Sequence, residues 1–172
     1  ESGSAIADVL FGDTNPAGRL PVTFYRSVDQ LPPFGDYAMA GRTYRYLVEP
    51  PLYPFGHGLS YTRFQYSHLR LDAPEITPAG QVRISVDVTN SGARAGDEVV
   101  QIYVSYPDAA VARPIKELKG FHRLSLAPGE TRTVAFTLAA AQLALWDGAG
   151  WAVEPGAVNV LIGSSSGDIR LQ

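Results

Sequence analysis

From about residue 63 onward, apolar side chains return at every second position. That period dictates strands, because successive side chains of a strand point to opposite faces. Phe64, Tyr66, Leu69 and Leu71 give a first strand with one irregularity, and Val82, Ile84, Val86 and Val88 a clean second. Val100, Ile102 and Val104 form a third, Leu118 to Leu126 contains a fourth, and Val134, Phe136 and Leu138 make a fifth. Leu143 to Trp146 with Trp151 to Val153 reads as a hairpin around Asp147-Gly148, and Val158, Val160 and Ile162 as the last strand. Turn signals separate them at Pro78-Ala79-Gly80, Asn90-Ser91-Gly92, Pro128-Gly129 and Pro155-Gly156. Short strands at this spacing, each with one apolar face, predict an antiparallel β-sandwich of immunoglobulin or fibronectin III type over residues 63–172.

The first 62 residues have a different character. Ala5, Ile6, Val9 and Leu10 lie at helical spacing and stop at Phe11-Gly12-Asp13, which predicts a short helix under way from Glu1 and capped by glycine. Asn15-Pro16-Ala17-Gly18 makes a turn, and Leu20, Val22 and Phe24 alternate as a short strand does. Between residues 26 and 62 no period persists. Pro32, Pro33, Pro50, Pro51 and Pro54 forbid regular ladders, and Gly35, Gly41, Gly56 and Gly58 permit tight turns. Yet Phe34, Tyr37, Tyr44, Tyr46, Tyr53, Phe55 and Tyr61 are too aromatic to be left in water. The expectation is an ordered strap lying on another surface, most of it outside this chain.

Composition excludes several functions. The 14 Lys and Arg against 17 Asp and Glu give a net charge of −3, which offers no basic face for nucleic acid. The 172 residues include no cysteine, so a disulfide framework, a thiolate metal site and a cysteine nucleophile are ruled out. No apolar run is long enough to span a bilayer. A start at Glu1 with no charged-then-apolar leader reads as a piece of a longer protein.

Local motifs yield little chemistry. Gly163-Ser164-Ser165-Ser166-Gly167 matches the serine-hydrolase elbow, but that elbow needs a following helix and a downstream histidine, so the match reads as a polar loop after the last strand. His57, His68 and His122 have no partners at ligand spacing, so neither a metal nor a cofactor is expected. His57 stands apart because flanking glycines let backbone approach closely. Asp97 and Glu98, as strand neighbours, point to opposite faces and cannot flank one bond; one of them is expected to cap or orient the turn after Gly96. Arg42, Tyr44, Arg45 and Tyr46 alternate guanidinium and phenol on an extended strap. Such groups suit a sugar, or equally the carboxylates and carbonyls of a neighbouring domain.

Taken as phrases, these segments resemble a known family. Ser4 to Asp13, followed by Asn15-Pro16-Ala17-Gly18-Arg19-Leu20-Pro21-Val22-Thr23-Phe24, resembles the end of the α/β sandwich domain of glycoside hydrolase family 3. Gly41-Arg42-Thr43-Tyr44-Arg45-Tyr46 and Leu52-Tyr53-Pro54-Phe55-Gly56-His57-Gly58-Leu59-Ser60-Tyr61 are similar to the strap that follows it. Arg113-Pro114-Ile115-Lys116-Glu117-Leu118-Lys119-Gly120-Phe121 with Leu126-Ala127-Pro128-Gly129-Glu130 resembles the family's fibronectin III-like domain. The resemblance covers essentially the whole chain. It implies residues 1–25 as the C-terminal end of the α/β domain, 26–62 as an irregular inter-domain linker and 63–172 as the fibronectin III-like domain.

The same resemblance implies a retaining exo-β-glycosidase, a β-glucosidase or β-xylosidase, exported to the periplasm or secreted, with no membrane or nucleic-acid partner. Retention uses two carboxyl groups about 5 to 5.5 Å apart, one attacking and one protonating the leaving oxygen. In the family the nucleophilic aspartate belongs to an N-terminal barrel and the acid/base to the α/β domain, both upstream of the matched segments. This chain is therefore expected to hold no catalytic residue, and the match does not make Glu1 the acid/base. Its expected partners are those upstream domains and a β-linked oligosaccharide or glycoside, and its expected role is to buttress them. Sugar contacts, where this chain makes them, are expected from the strap at Asp36, Arg42 and Tyr44 and from His57. The alternative is a stand-alone fibronectin III-like interaction or carbohydrate-binding module.

Overall fold

The computed structural model describes residues 2–172; Glu1 lies outside the described residues. Its regular structure is mainly β. Helix α1 (Ser2–Phe11), a 3-10 turn at Val28–Gln30 and the single turn α2 (Thr43–Tyr46) precede the strands. Strands β1 (Phe64–Leu71), β2 (Gln81–Asn90), β3 (Gly96–Ser105), β4 (Glu117–Leu126) and β5 (Thr131–Ala139) follow. A second 3-10 turn (Ala140–Leu143), the short hairpin β6 (Leu145–Trp146) and β7 (Trp151–Ala152), then β8 (Asn159–Ser165) and β9 (Asp168–Leu171) complete the chain.

Two antiparallel sheets face each other, one ordered β1-β2-β5 and the other β4-β3-β8-β9. The alternation along β2 buries Val82, Ile84, Val86 and Val88 on one face, and Val100, Ile102, Val104 and Ile162 of the facing sheet close over them. At about 1.5–3 kcal/mol for each fully buried aliphatic side chain, this two-sided core is the main source of stability. The irregularity expected in the first strand is a bulge. His68 takes φ 52, and the β1–β2 register shifts between Ser67 and Arg70. At the far end of β2, fully buried Asn90 closes the sandwich. Its Oδ1 accepts from Thr62 Oγ1 at 2.6 Å and from the Gly92 amide at 3.1 Å. Its Nδ2 donates to the Arg94 and Leu126 carbonyls at 2.8 and 3.0 Å.

Three local expectations are corrected. Gly163 to Gly167 is not a loop after the last strand: β8 runs through Ser165, and a tight turn returns the chain as β9, with Ser165 opposite Asp168 and Ile162 opposite Leu171. Leu20 to Phe24 forms no regular ladder: beside Leu52 to His57 it makes an isolated bridge, Phe24 with Tyr53, and scattered backbone hydrogen bonds. The segment after Arg42 is a helical turn, entered through Thr43 at φ 56, and not extended.

Candidate functional site

The strap lies across the outer face of the four-stranded sheet, and glycine decides how close it comes. Gly56, at φ +82, packs directly on the Gln101 side chain, and the Gln101 Nε2 donates to the Gly56 carbonyl at 3.3 Å. Beside it, the Ser166 amide donates to the Phe55 carbonyl at 2.9 Å. The Tyr44 ring stacks on Phe55 with centroids 4.5 Å apart and meets fully buried Tyr103 edge-on at 5.9 Å. The Tyr44 hydroxyl accepts the Leu118 amide at 3.2 Å, and the Ile115 amide donates to the Arg45 carbonyl at 2.7 Å. Arg45 pairs with Glu117 across the same seam. Burial raises the Tyr103 phenol well above its usual range. Tyr106, on the other side of Glu117, is pushed up to about 12, first by burial and then by that carboxylate.

The first segment is sewn to the same body. Leu20 to Phe24 runs antiparallel to Leu52 to His57, with the Leu20 amide on the His57 carbonyl at 2.8 Å and the Phe24 amide on the Tyr53 carbonyl at 2.9 Å. Asn15 bridges three places: its Nδ2 donates to the Ala95 carbonyl at 2.9 Å, and its Oδ1 accepts the Tyr61 amide at 2.8 Å and the Ser60 hydroxyl at 3.1 Å. Arg19 forms a buried ion pair with Glu98 at 2.6 Å.

The four residues expected to contact sugar are not gathered in one place. Tyr44 and His57 belong to the docked part of the strap, where the His57 ring stacks on Tyr53 at 5.1 Å. Asp36 and Arg42 belong to an outlying loop and brace it. Asp36 Oδ1 accepts the Ala38 amide at 2.8 Å, and the Arg42 guanidinium donates to the Ala38 and Asp36 carbonyls at 2.9 and 2.5 Å. This bracing leaves Phe34 and Tyr37 pointing outward, 96% and 89% exposed. Ile6, Leu10, Phe11, Phe24, Leu52, Tyr53 and Leu59 are exposed on the same N-terminal portion. The rings thus divide: Tyr44 and Phe55 face the sandwich, and others face away from it.

Sequence reasoning separated Asp97 from Glu98 correctly but gave them the wrong tasks. Neither caps the turn. Asp97 faces solvent and accepts from Arg123 at 2.5 Å and Ser125 at 2.6 Å, whereas Glu98 is buried against Arg19. Glu98 is explained by an arginine 79 residues upstream, and no local signal reveals it. A general acid at neutral pH needs a raised carboxyl pKa. Instead Asp97 is held low, first by Ser125 and then by Arg123, and Asp168 first by Arg170 and then by Ser164. These carboxylates accept hydrogen bonds and do not deliver protons. Among the described residues no group of three or more His, Asp or Glu could hold a metal ion.

Comparison with known proteins places this geometry. Residues 1–61 match the glycosyl hydrolase family 3 C-terminal domain and residues 98–166 a fibronectin type III-like domain. A periplasmic β-glucosidase of Salmonella typhimurium is 44% identical over 99% of the chain. A xylan 1,4-β-xylosidase of Xylanibacter ruminicola is 42% identical over all of it. The solved structure of β-glucosidase 3B from Thermotoga neapolitana superposes over 99% of the chain with a TM-score of 0.88 at 37% identity. The chain spans 24%, 20% and 26%, respectively, of these three proteins. Its two matched domains, in this order and with this fold, show that the chain belongs to glycoside hydrolase family 3, of which it forms the C-terminal region.

Proposed function

We propose that the chain is the C-terminal part of a retaining, exo-acting β-glycosidase that releases terminal β-linked glucose or xylose, and that it rigidifies the domains carrying the reaction. The observation that carries this reading is the two-sided strap. One side is pinned to the sandwich through Tyr44, Phe55, Gly56 and Arg45, and the other leaves rings and α1 aliphatics in water. Exposed apolar groups of this number mark a surface that another body covers. We place the upstream domains of the same polypeptide on it. Segmentation at residues 25 and 62 fits this division of labour, and the Salmonella relative named periplasmic supports export.

Within this reading, Asp36 and Arg42 hold the loop whose Phe34 and Tyr37 approach the sugar side of the reacting body, and Tyr44 and His57 set the loop's height above the sandwich. The test compares the chain alone, the chain mixed with the upstream portion, and the complete enzyme. The chain alone is expected to show no turnover of an aryl β-glucoside or β-xyloside, and mixing it with the separately produced upstream portion is expected to restore turnover. Arg42→Ala, which frees the loop, is expected to raise KM several-fold for oligosaccharides and less for an aryl monoglycoside. Turnover by the isolated chain overturns the reading.

A further inference from the structure

Both tryptophans of the chain sit on one short hairpin. Trp146 of β6 and Trp151 of β7 are direct cross-strand partners, with ring centroids 6.1 Å apart and ring planes at 75°. They are 58% and 75% exposed. The Ala140 amide donates to the Gly80 carbonyl at 2.9 Å, which sets the 3-10 turn leading into this hairpin beside the start of β2, at the opposite end of that strand from Asn90. The hairpin is braced at its tip and at its base. Asp147 Oδ1 accepts the Ala149 and Gly150 amides, both at 2.8 Å, and the Asp147 amide donates to the Gly150 carbonyl at 3.0 Å. At the base, Glu154 accepts the Ala110 amide at 3.0 Å and pairs with Arg113, which donates to the Leu143 carbonyl at 3.2 Å. Open space surrounds Gly148 and Gly150, so nothing at the tip crowds the rings.

Size and charge select the ligand. An indole side chain carries at most about 250 Å², so two rings this exposed present less than about 400 Å², half of the roughly 800 Å² that a stable protein interface takes from each partner. From Leu143 to Val153 the only charged residue is Asp147, so nothing attracts an anionic membrane or a nucleic acid. A neutral ring with apolar C–H faces and peripheral hydroxyls fits both limits, its face stacking on an indole and a hydroxyl donating to the Asp147 carboxylate. Rings inclined at 75° cannot both lie against one flat ribbon; they suit a chain whose successive units turn. We propose that Trp146 and Trp151 stack on neighbouring pyranose units of a twisted β-linked glycan, of xylan type rather than the flat cellulose type. The choice of a glycan rests on the glycosidase reading, but binding is measured on this chain without turnover, so the two fail separately.

Because the chain holds no other tryptophan, its indole fluorescence reports this pair alone. Titration of the 172-residue chain with xylohexaose is expected to change that fluorescence saturably at millimolar concentration, and cellohexaose to bind at least about threefold more weakly. Trp151→Ala, read through the remaining Trp146, is expected to weaken binding at least about fivefold while β2 and β3 amides stay protected from exchange. Trp151→Phe keeps a ring on the hairpin and is expected to retain part of the affinity; it decides the matter should the alanine variant unfold. No fluorescence change up to about 20 mM xylohexaose overturns the proposal. So does binding that survives Trp151→Ala unchanged, cellohexaose binding as tightly as xylohexaose, or a response to phosphatidylcholine vesicles without one to the glycan.

Discussion

Gly56 is the residue on which strap and sandwich meet, and two independent costs fall on any side chain placed there. The backbone sits at φ +82, and an added Cβ would drive into the Gln101 amide. Gly56→Ala is expected to destabilise the chain by about 2 kcal/mol, read from the denaturant midpoint, whereas Gly150→Ala, with open space around it, should cost far less. Charge acts at the same scale. Asp168 is held low mainly by Arg170, Asp97 mainly by Ser125 and Asp87 mainly by Thr133. A carboxylate with a depressed folded pKa contributes stability that is complete above its unfolded value, about 3.9, and is lost as pH falls through the folded value. Stability from these groups is therefore expected to hold down to about pH 5 and fall below about pH 4. Asp168→Asn should flatten part of that fall in an acid denaturation series, and a gain in stability on acidification would refute the assignment. The glycines flanking His57 were legible in the sequence as points of close approach; that Gln101 fills one of them was not.

At the level of elements, β2 and the strap are opposites. Val82, Ile84, Val86 and Val88 announce their strand because a sheet with one buried face writes its period directly into the chain. The bulge at His68 showed in the same pattern as a slipped apolar position, since one extra residue shifts the alternation. The strap has no period, because its contacts are single hydrogen bonds and ring stacks to residues far along the chain. For that reason the helical turn Thr43–Tyr46 was misread as extended, and β9 was missed where serines and glycine mimic a loop. Tyr44→Ala removes the stack on Phe55, the edge contact with Tyr103 and the acceptor for the Leu118 amide together. It is expected to cost about 3 kcal/mol, part of it as a buried-ring truncation, and to release residues 26–46 to limited proteolysis while β2 and β3 amides stay protected from exchange.

For the molecule as a whole, the apolar groups left in water set the prediction. Phe24 and Tyr53 meet edge-on at 6.4 Å where the first segment bridges to the strap, both about half exposed. Phe24→Ser with Tyr53→Ser is expected to weaken association of the chain with the upstream portion at least tenfold by titration calorimetry, and to change the sandwich's own unfolding little. Unchanged association would place the covering body elsewhere. By itself the sequence determined the sandwich, its turns and the family phrases, because those rest on periods and local backbone chemistry that neighbours in the chain express. Only the tertiary structure decided which rings of the strap face inward and which carboxylate of Asp97 and Glu98 is buried. Those outcomes depend on groups such as Arg19 and Glu98 that sequence distance hides and packing brings within 2.6 Å.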